Sequence, residues 1–303
     1  MAVKIHFDDS DDIIDICMDN VFKAVFTKDT PASQIALSKL VSAIIGTDVS
    51  IITIVANEPP VDSLRDRQIR FDINCRAKDG ELVNVEMSLN PDPFEPVRLE
   101  FHAGKLFTGQ DIRGTEKTYD DLKRAYQISI LVKERFFADG IFFHSFEYYD
   151  PARCVSLDGK SRILTLELSK LEEVVRKPTG EMSTQEKWAV FFRYLTDGSM
   201  RGKINEIVDN EEGIAMASEV LLNISRDEAE RARLMSEYKY QLDMQSKLVH
   251  AKRQGREEGL QEGHKKGLKK GLKEGFKEGE QKIVELLKSG KSPEEIIREY
   301  GST

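Results

Sequence analysis

An alternation of apolar and polar residues over residues 69–89 constrains the fold of this 303-residue chain more than any other feature. Its two halves, Ile69–Ala77 and Leu82–Leu89, each alternate with a period of two, which predicts two paired β-strands. Their apolar faces match only if the loop has an odd length, and Lys78-Asp79-Gly80 supplies three residues with glycine at the left-handed position. This register places Asp72 opposite Glu86, with their Cβ atoms about 5 Å apart.

The two carboxylates form a candidate site for a divalent metal. Mg²⁺ and Mn²⁺ prefer carboxylate oxygen and take water or phosphate oxygen in their remaining positions. Such an ion would activate a water and stabilise charge on a scissile phosphate. The alternative interpretation is a solvent-facing pair of strands with ordinary polar residues.

Helices and strands are expected on both sides of the hairpin. The pair Asp19-Asn20 is typical of a helix cap. The elements predicted from the hydrophobic period are, in chain order, a helix over Val21–Phe26, a helix over Pro31–Ile45, a strand over Val49–Val55, the hairpin, a helix over Val97–Asp111, strands over Tyr126–Val132, Phe142–Tyr149 and Arg162–Leu168, and helices from Thr184 to residue 250.

Composition narrows the class of protein. The net charge is −8, and residues 251–282 carry ten Lys/Arg against six Glu, so the rest of the chain is acidic. An acidic body argues against non-specific coating of DNA but is compatible with a local basic groove. No apolar run approaches the roughly 20 residues of a membrane span. The three cysteines show no metal-ligand spacing and fit a reducing compartment, so we expect a cytoplasmic protein.

The C-terminal tail contains an internal repeat. Glycine recurs every four residues from Gly255 to Gly279, and large apolar residues follow several of these glycines. Each interior glycine costs a helix about 1 kcal/mol relative to alanine, so a partner helix packed on this side would explain the pattern. The alternatives are a charged tether and attraction to DNA. A stop at Gly290 and a capping box over Ser292-Pro-Glu-Glu295 predict a short closing helical pair.

Several short motifs occur in a distinctive order, over about residues 15–175. They are Asp19-Asn-Val-Phe-Lys-Ala-Val-Phe26, Arg70-Phe-Asp-Ile73, Val85-Glu-Met87, Arg98 followed by Lys105-Leu-Phe107 and Gln110, and Leu166-Glu-Leu-Ser-Lys170. Together they resemble the PD-(D/E)XK nuclease family transposases, which are also described as recombination-promoting nucleases. The tail is similar to that family as well.

The resemblance implies an α/β (α+β) fold, with a restriction-endonuclease-like mixed sheet flanked by helices. We expect three segments: a nuclease-like domain over residues 1–175, a helical region over 176–250 and the repeat tail over 251–303. The resemblance also implies DNA cleavage that depends on Mg²⁺ or Mn²⁺, with Asp72 and Glu86 as metal ligands. The family motif E-x-K, often E-x-Q, is matched by Glu86-Met87-Ser88, and serine cannot supply the positive charge of lysine.

Other residues are secondary candidates. Ser88 offers a hydroxyl at the catalytic position, and Lys105 on the following helix is a candidate for the missing charge, with a solvated helix residue as the alternative. Candidates for contacts to DNA phosphates, with scattered surface charge as the alternative, are Arg98, Arg113, Lys117, Lys123 and Arg124. Gln110 either orients the site or lies in a helix interface. His102 and His144 show no partner in the sequence and are interpreted as structural.

Three hypotheses follow. The first is a Mg²⁺-dependent DNA endonuclease associated with transposition or recombination. The second is a catalytically weakened relative that binds DNA or a partner protein. The third is a structural homo-oligomer organised by the tail.

Overall fold

The structure is a computed structural model that describes residues 5–55, 72–91, 93–112, 114–133 and 135–300. The first part of the predicted strand Ile69–Ala77 and the candidate Arg113 lie outside these residues. The chain divides into two compact units, residues 1–238 and 239–303.

The first unit is built on a mixed six-stranded sheet. Numbered in chain order, the strands are β1 (Ile51–Ile54), β2 (Ile73–Ala77), β3 (Leu82–Ser88), β4 (Ala125–Leu131), β5 (Phe143–Phe146), β6 (Tyr149–Asp150), β7 (Val155–Ser156) and β8 (Ser161–Glu167). The order in the large sheet is β1-β2-β3-β4-β8-β5, and β6 pairs with β7 in a separate ribbon. The central strands β3, β4 and β8 are parallel, whereas the other neighbours are antiparallel. This is the expected α/β architecture with a restriction-endonuclease-like mixed sheet.

Eight α-helices accompany the strands in the described part of the chain. They are α1 (Asp19–Thr27), α2 (Pro31–Ile45), α3 (Glu95–Thr108), α4 (Thr184–Tyr194), α5 (Arg201–Asn210), α6 (Glu212–Arg226), α7 (Glu228–Lys288) and α8 (Pro293–Tyr300). None of them is long and apolar enough to cross a membrane. In the second unit, Ser292 and Glu295 form the predicted capping box of α8, and Gly290 has a left-handed φ of 92°.

The two faces of the sheet differ in chemistry. One face carries buried apolar side chains, among them Ile73, Val85 and Ile128, which pack with the apolar faces of helices in the N-terminal part and after β8. The opposite face carries polar side chains, and α3 packs over it against β3, β4 and β8. Near its C-terminal end, α3 contributes Leu106 to a small apolar cluster with Leu82 and Ala125. The polar face is therefore enclosed rather than exposed to water.

Three predictions about element boundaries were wrong. Asp19-Asn20 does not cap α1: the helix begins at Asp19, and its preceding residue makes no side-chain cap. The predicted strand Phe142–Tyr149 ends at Phe146, because the chain leaves β8 to form the β6–β7 ribbon. The helix predicted from Val97 begins two residues earlier, since proline is favourable in the first turn of α3.

Candidate functional site

The hairpin has the predicted register. Asn74 pairs with Asn84 and Ile73 with Val85, so the next position along the ladder places Asp72 opposite Glu86. The loop closes with a hydrogen bond from the Gly80 amide to the Ala77 carbonyl, at 2.9 Å. Gly80 has a φ of 91°, a left-handed conformation that favours glycine.

Glu86 lies on the enclosed polar face, with only 2 % of its surface exposed. Its Oε1 accepts hydrogen bonds from the side-chain amide of Asn84 at 2.9 Å and from His102 Nδ1 at 2.6 Å. Arg98 Nη1 lies 3.4 Å from Oε2, as an ion pair without hydrogen-bond geometry. Burial alone would raise the pKa of Glu86, but the contacts with His102, Arg98 and Asn84 outweigh it and lower that pKa. Glu86 is therefore held as a carboxylate.

Asp72 lies at the edge of the same site, with 19 % of its side chain exposed. Its Oδ2 accepts a hydrogen bond from the Met87 amide at 3.2 Å, and its Oδ1 lies 2.9 Å from Lys23 Nζ. Burial, reinforced by the nearby charges of Asp19 and Glu86, raises the pKa of Asp72 to about 7 despite the opposing charge of Lys23. Negative charge is therefore crowded at this position.

Two buried carboxylate oxygens at the site have no hydrogen-bond partner among the residues that the structure describes. They are Glu86 Oε2 and Asp19 Oδ1. A buried polar atom without a partner is costly, and a native protein usually retains one for a reason such as an ion. Crowded carboxylates with such oxygens fit a divalent cation, which typically binds one or two carboxylates together with water and phosphate oxygens. Within the described ranges, however, no group of three or more His, Cys, Asp or Glu side chains is placed to hold a metal by itself.

The helix α3 supplies the residues that cover Glu86. Arg98 and His102 are four residues apart and therefore lie on one face of the helix. Arg98 also pairs with buried Glu95, Nε to Oε2 at 3.2 Å. The interpretation of His102 as structural was incomplete, since it contacts a candidate metal ligand. The sequence signal that could have found it is the shared spacing of Arg98 and His102, one helical turn apart.

The remaining candidates lie elsewhere. Ser88 ends β3, is half-buried, and lies on the same side of the strand as Glu86 by alternation. Lys105 is in the last turn of α3, one turn beyond His102. Gln110 exchanges two hydrogen bonds with the backbone of Lys123, and the ammonium of Lys117 contacts the exposed Asp111. Of the DNA-contact candidates in the described ranges, the structure brings Arg98 to the carboxylates.

Residues 16–251 match the model of a family described as PD-(D/E)XK nuclease family transposase. The chain belongs to this family. No curated protein and no solved structure matches it. The nuclease transposase family implies DNA as the substrate, and PD-(D/E)XK nucleases typically use divalent metals. Both properties agree with the carboxylate pair on neighbouring strands.

Proposed function

We propose that this PD-(D/E)XK family member is a divalent-metal-dependent DNA endonuclease that acts in transposition or recombination. The observation that carries the proposal is the pairing of Asp72 with Glu86, beside buried carboxylate oxygens that accept no hydrogen bond from any residue the structure describes. Mg²⁺ or Mn²⁺ held by Asp72 and Glu86 would supply Lewis acidity and an activated water for phosphodiester hydrolysis.

The protein's own residues prepare this site. Asn84 and His102 fix the orientation of the Glu86 carboxylate through one oxygen and leave the other oxygen towards Arg98. The side chain of Arg98 is 43 % exposed, and we infer that its guanidinium can meet a DNA phosphate. Guanidinium groups favour phosphate because their planar donors match its geometry. Arg98 thus links the buried carboxylate to the surface over which DNA would pass.

Plasmid nicking tests the proposal. Wild-type protein should convert supercoiled plasmid to open circles with Mg²⁺ or Mn²⁺, and EDTA should stop the reaction. Asp72→Ala and Glu86→Ala should each reduce the rate by at least about a hundredfold, as removal of a principal charge-stabilising group does. Glu100→Ala is the matched control, because Glu100 is an exposed carboxylate on the same α3 helix. Robust cleavage by both site variants would exclude this assignment.

A weakened relative is the second candidate, favoured by the serine at position 88. A lysine there would position the attacking water and stabilise the transition state, whereas a hydroxyl offers one hydrogen bond. This candidate predicts DNA binding without nicking in either Mg²⁺ or Mn²⁺. The same plasmid, used in a gel-shift assay, separates the two candidates.

We also infer that the tail mediates homo-oligomers and that the protein works in the cytoplasm. Within α7, large apolar side chains are exposed beside the glycine repeat, namely Leu260, Leu268, Leu272 and Phe276. Truncation at about residue 250 should reduce the molar mass measured by light scattering to that of one chain. The cytoplasmic location is supported by the cysteines, since Cys17, Cys75 and Cys154 are all free thiols.

A further inference from the structure

Lys23 joins two carboxylates at the candidate site. Its Nζ lies 2.9 Å from Asp72 Oδ1 and 2.9 Å from Asp19 Oδ2. Asp19 and Lys23 are four residues apart on α1, which is the spacing for an ion pair along a helix. Lys23 thus reaches from α1 to the edge of the sheet where Asp72 lies opposite Glu86.

Asp19 lies in the first turn of α1, where a carboxylate complements the helix dipole, and it also holds Lys23. The helix cap predicted for it is not formed. Its Oδ1 is buried and, within the described part of the chain, has no hydrogen-bond partner. Asp19 therefore directs its other oxygen to Lys23 at the cost of leaving the first one unsatisfied.

The side chain of Lys23 is charged and partly exposed. Burial lowers the pKa of Lys23, but the charges of Asp72 and Asp19 outweigh burial and raise it. The side chain of Lys23 is 25 % exposed. Because Asp19 and Asp72 are separate carboxylates, Asp19 can retain Lys23 when Asp72 turns to a cation.

We propose that Lys23 replaces the lysine of the E-x-K motif, so that the charge missing at Ser88 on β3 is supplied from α1. This inference rests on the proposed nuclease function. Lys23 is the charge-supplying residue beside the scissile phosphate, and Asp19 is the residue that positions it. Serine at the position of the motif lysine then leaves the site with a positive charge, because Lys23 supplies it from α1 instead of β3.

The first test compares nicking by Lys23→Met and Lys23→Arg with nicking by wild type. Lys39→Met is the matched control, since Lys39 is a half-exposed lysine on α2 that faces Glu212. Lys23→Met should lower kcat by about a hundredfold. DNA affinity, measured by gel shift with Ca²⁺ in place of Mg²⁺, should change by less than about threefold, because one phosphate contact is a small share of binding. Lys23→Arg should retain more activity than Lys23→Met. Wild-type rates in Lys23→Met would overturn the proposal.

A rescue experiment distinguishes a charge-supplying role from a merely structural one. Adding Ser88→Lys to Lys23→Met returns a lysine to the motif position, and nicking should rise at least tenfold over Lys23→Met alone. A structural defect in α1 would not be repaired from β3. Failure of the double variant to exceed Lys23→Met, with both variants folded by circular dichroism, would contradict the replacement.

Binding of Mn²⁺, followed by electron paramagnetic resonance, does not depend on turnover. Removing a positive charge next to Asp72 should tighten Mn²⁺ binding by about tenfold, since charges a few ångströms apart near a protein surface interact by more than 1 kcal/mol. Equal or weaker binding by Lys23→Met would contradict the placement of this charge at the cation site. If wild type binds Mn²⁺ but does not nick DNA, the proposed function fails, and this measurement still decides whether Lys23 belongs to the cation site.

Discussion

Two clusters of charged residues occupy the polar face of the sheet, and they differ in how well their carboxylates are satisfied. The first cluster, here the hairpin cluster, comprises Asp19, Lys23, Asp72, Glu86, Arg98 and His102. The second, here the β8 cluster, comprises Asp139, His144, Glu167 and Lys170. One cross-strand row connects them, because Glu86 pairs with Ser129, Ser129 with Thr165, and Thr165 with His144.

In the β8 cluster both oxygens of fully buried Glu167 are satisfied. Lys170 Nζ lies 2.6 Å from Oε1, while the backbone amides of Phe136 and Phe137 donate to Oε2 at 2.6 and 3.3 Å. Asp139 receives hydrogen bonds from the Ile141 amide, His144 and Lys170, which lower its pKa to about 2. These contacts fasten the segment after β4 to the end of β8.

In the hairpin cluster, by contrast, buried oxygens of Glu86 and Asp19 lack hydrogen bonds within the described ranges, and the pKa of Asp72 is raised. His144 Nδ1 in the β8 cluster is also buried without a hydrogen-bond partner within those ranges, so the contrast concerns the carboxylates. Buried carboxylates with satisfied oxygens stabilise a fold, whereas unsatisfied ones are expensive and are retained mainly for function. The difference assigns stability to the β8 cluster and chemistry to the hairpin cluster.

The largest expected effect separates these assignments. Lys170→Met leaves the buried Glu167 charge without its partner, which should cost about 3–5 kcal/mol in the free energy of unfolding measured with urea. Arg176→Met is the control, because Arg176 forms an exposed pair with Glu173 that should be worth less than about 1 kcal/mol. At a temperature where Lys170→Met remains folded, it should nick DNA at the wild-type rate. A folded but inactive variant would place the β8 cluster in the nuclease site and break the comparison.

The second largest expected effect is a gain in stability, on replacing Asp72 in the hairpin cluster. Because the pKa of Asp72 is raised in the fold, the folded state binds more protons than the unfolded state between about pH 4 and 7. The free energy of unfolding therefore falls as pH rises through that window. The full loss is reached above about pH 7. In EDTA, Asp72→Asn should therefore match wild type below about pH 4 and exceed its stability at pH 8 by on the order of 4 kcal/mol. Lower stability of the variant at pH 8 would show that the Lys23 ion pair outweighs the crowding of carboxylates.

The pairing of Asp72 with Glu86 in the hairpin cluster could be predicted from the sequence, whereas the burial of that cluster could not. Alternation and the odd loop length were enough to set Asp72 opposite Glu86, because register follows from short-range rules. Enclosure of the polar face was not predictable in the same way, since it depends on α3 packing across the sheet. Period-two alternation is typical of a strand with one wet face, so Asn84 and Glu86 gave no sign of their burial.

The long-range partners were also beyond the sequence. Glu86 and His102 are 16 residues apart, and Lys23 precedes Asp72 by a stretch with no periodic link between them. Which lysine reaches a carboxylate depends on how helices pack on a sheet. The order of elements along the chain favours Lys105, on the helix that follows the hairpin, over Lys23. Lys23 belongs to one of the motifs that carry the family resemblance, but its chemical role follows from its contact with Asp72, which only the fold provides.

The smallest expected effect concerns the row between the clusters. Thr165 Oγ1 is buried without a hydrogen-bond partner in the described part of the chain. Thr165→Val replaces that hydroxyl with a methyl group of the same shape, so it should be neutral or stabilise the protein by about 1 kcal/mol in urea unfolding. Nicking should be unchanged, because independence of the clusters requires that no signal pass through this residue. A loss of stability above about 1 kcal/mol would mean that the hydroxyl is satisfied, and a loss of activity would mean that the two clusters act as one network.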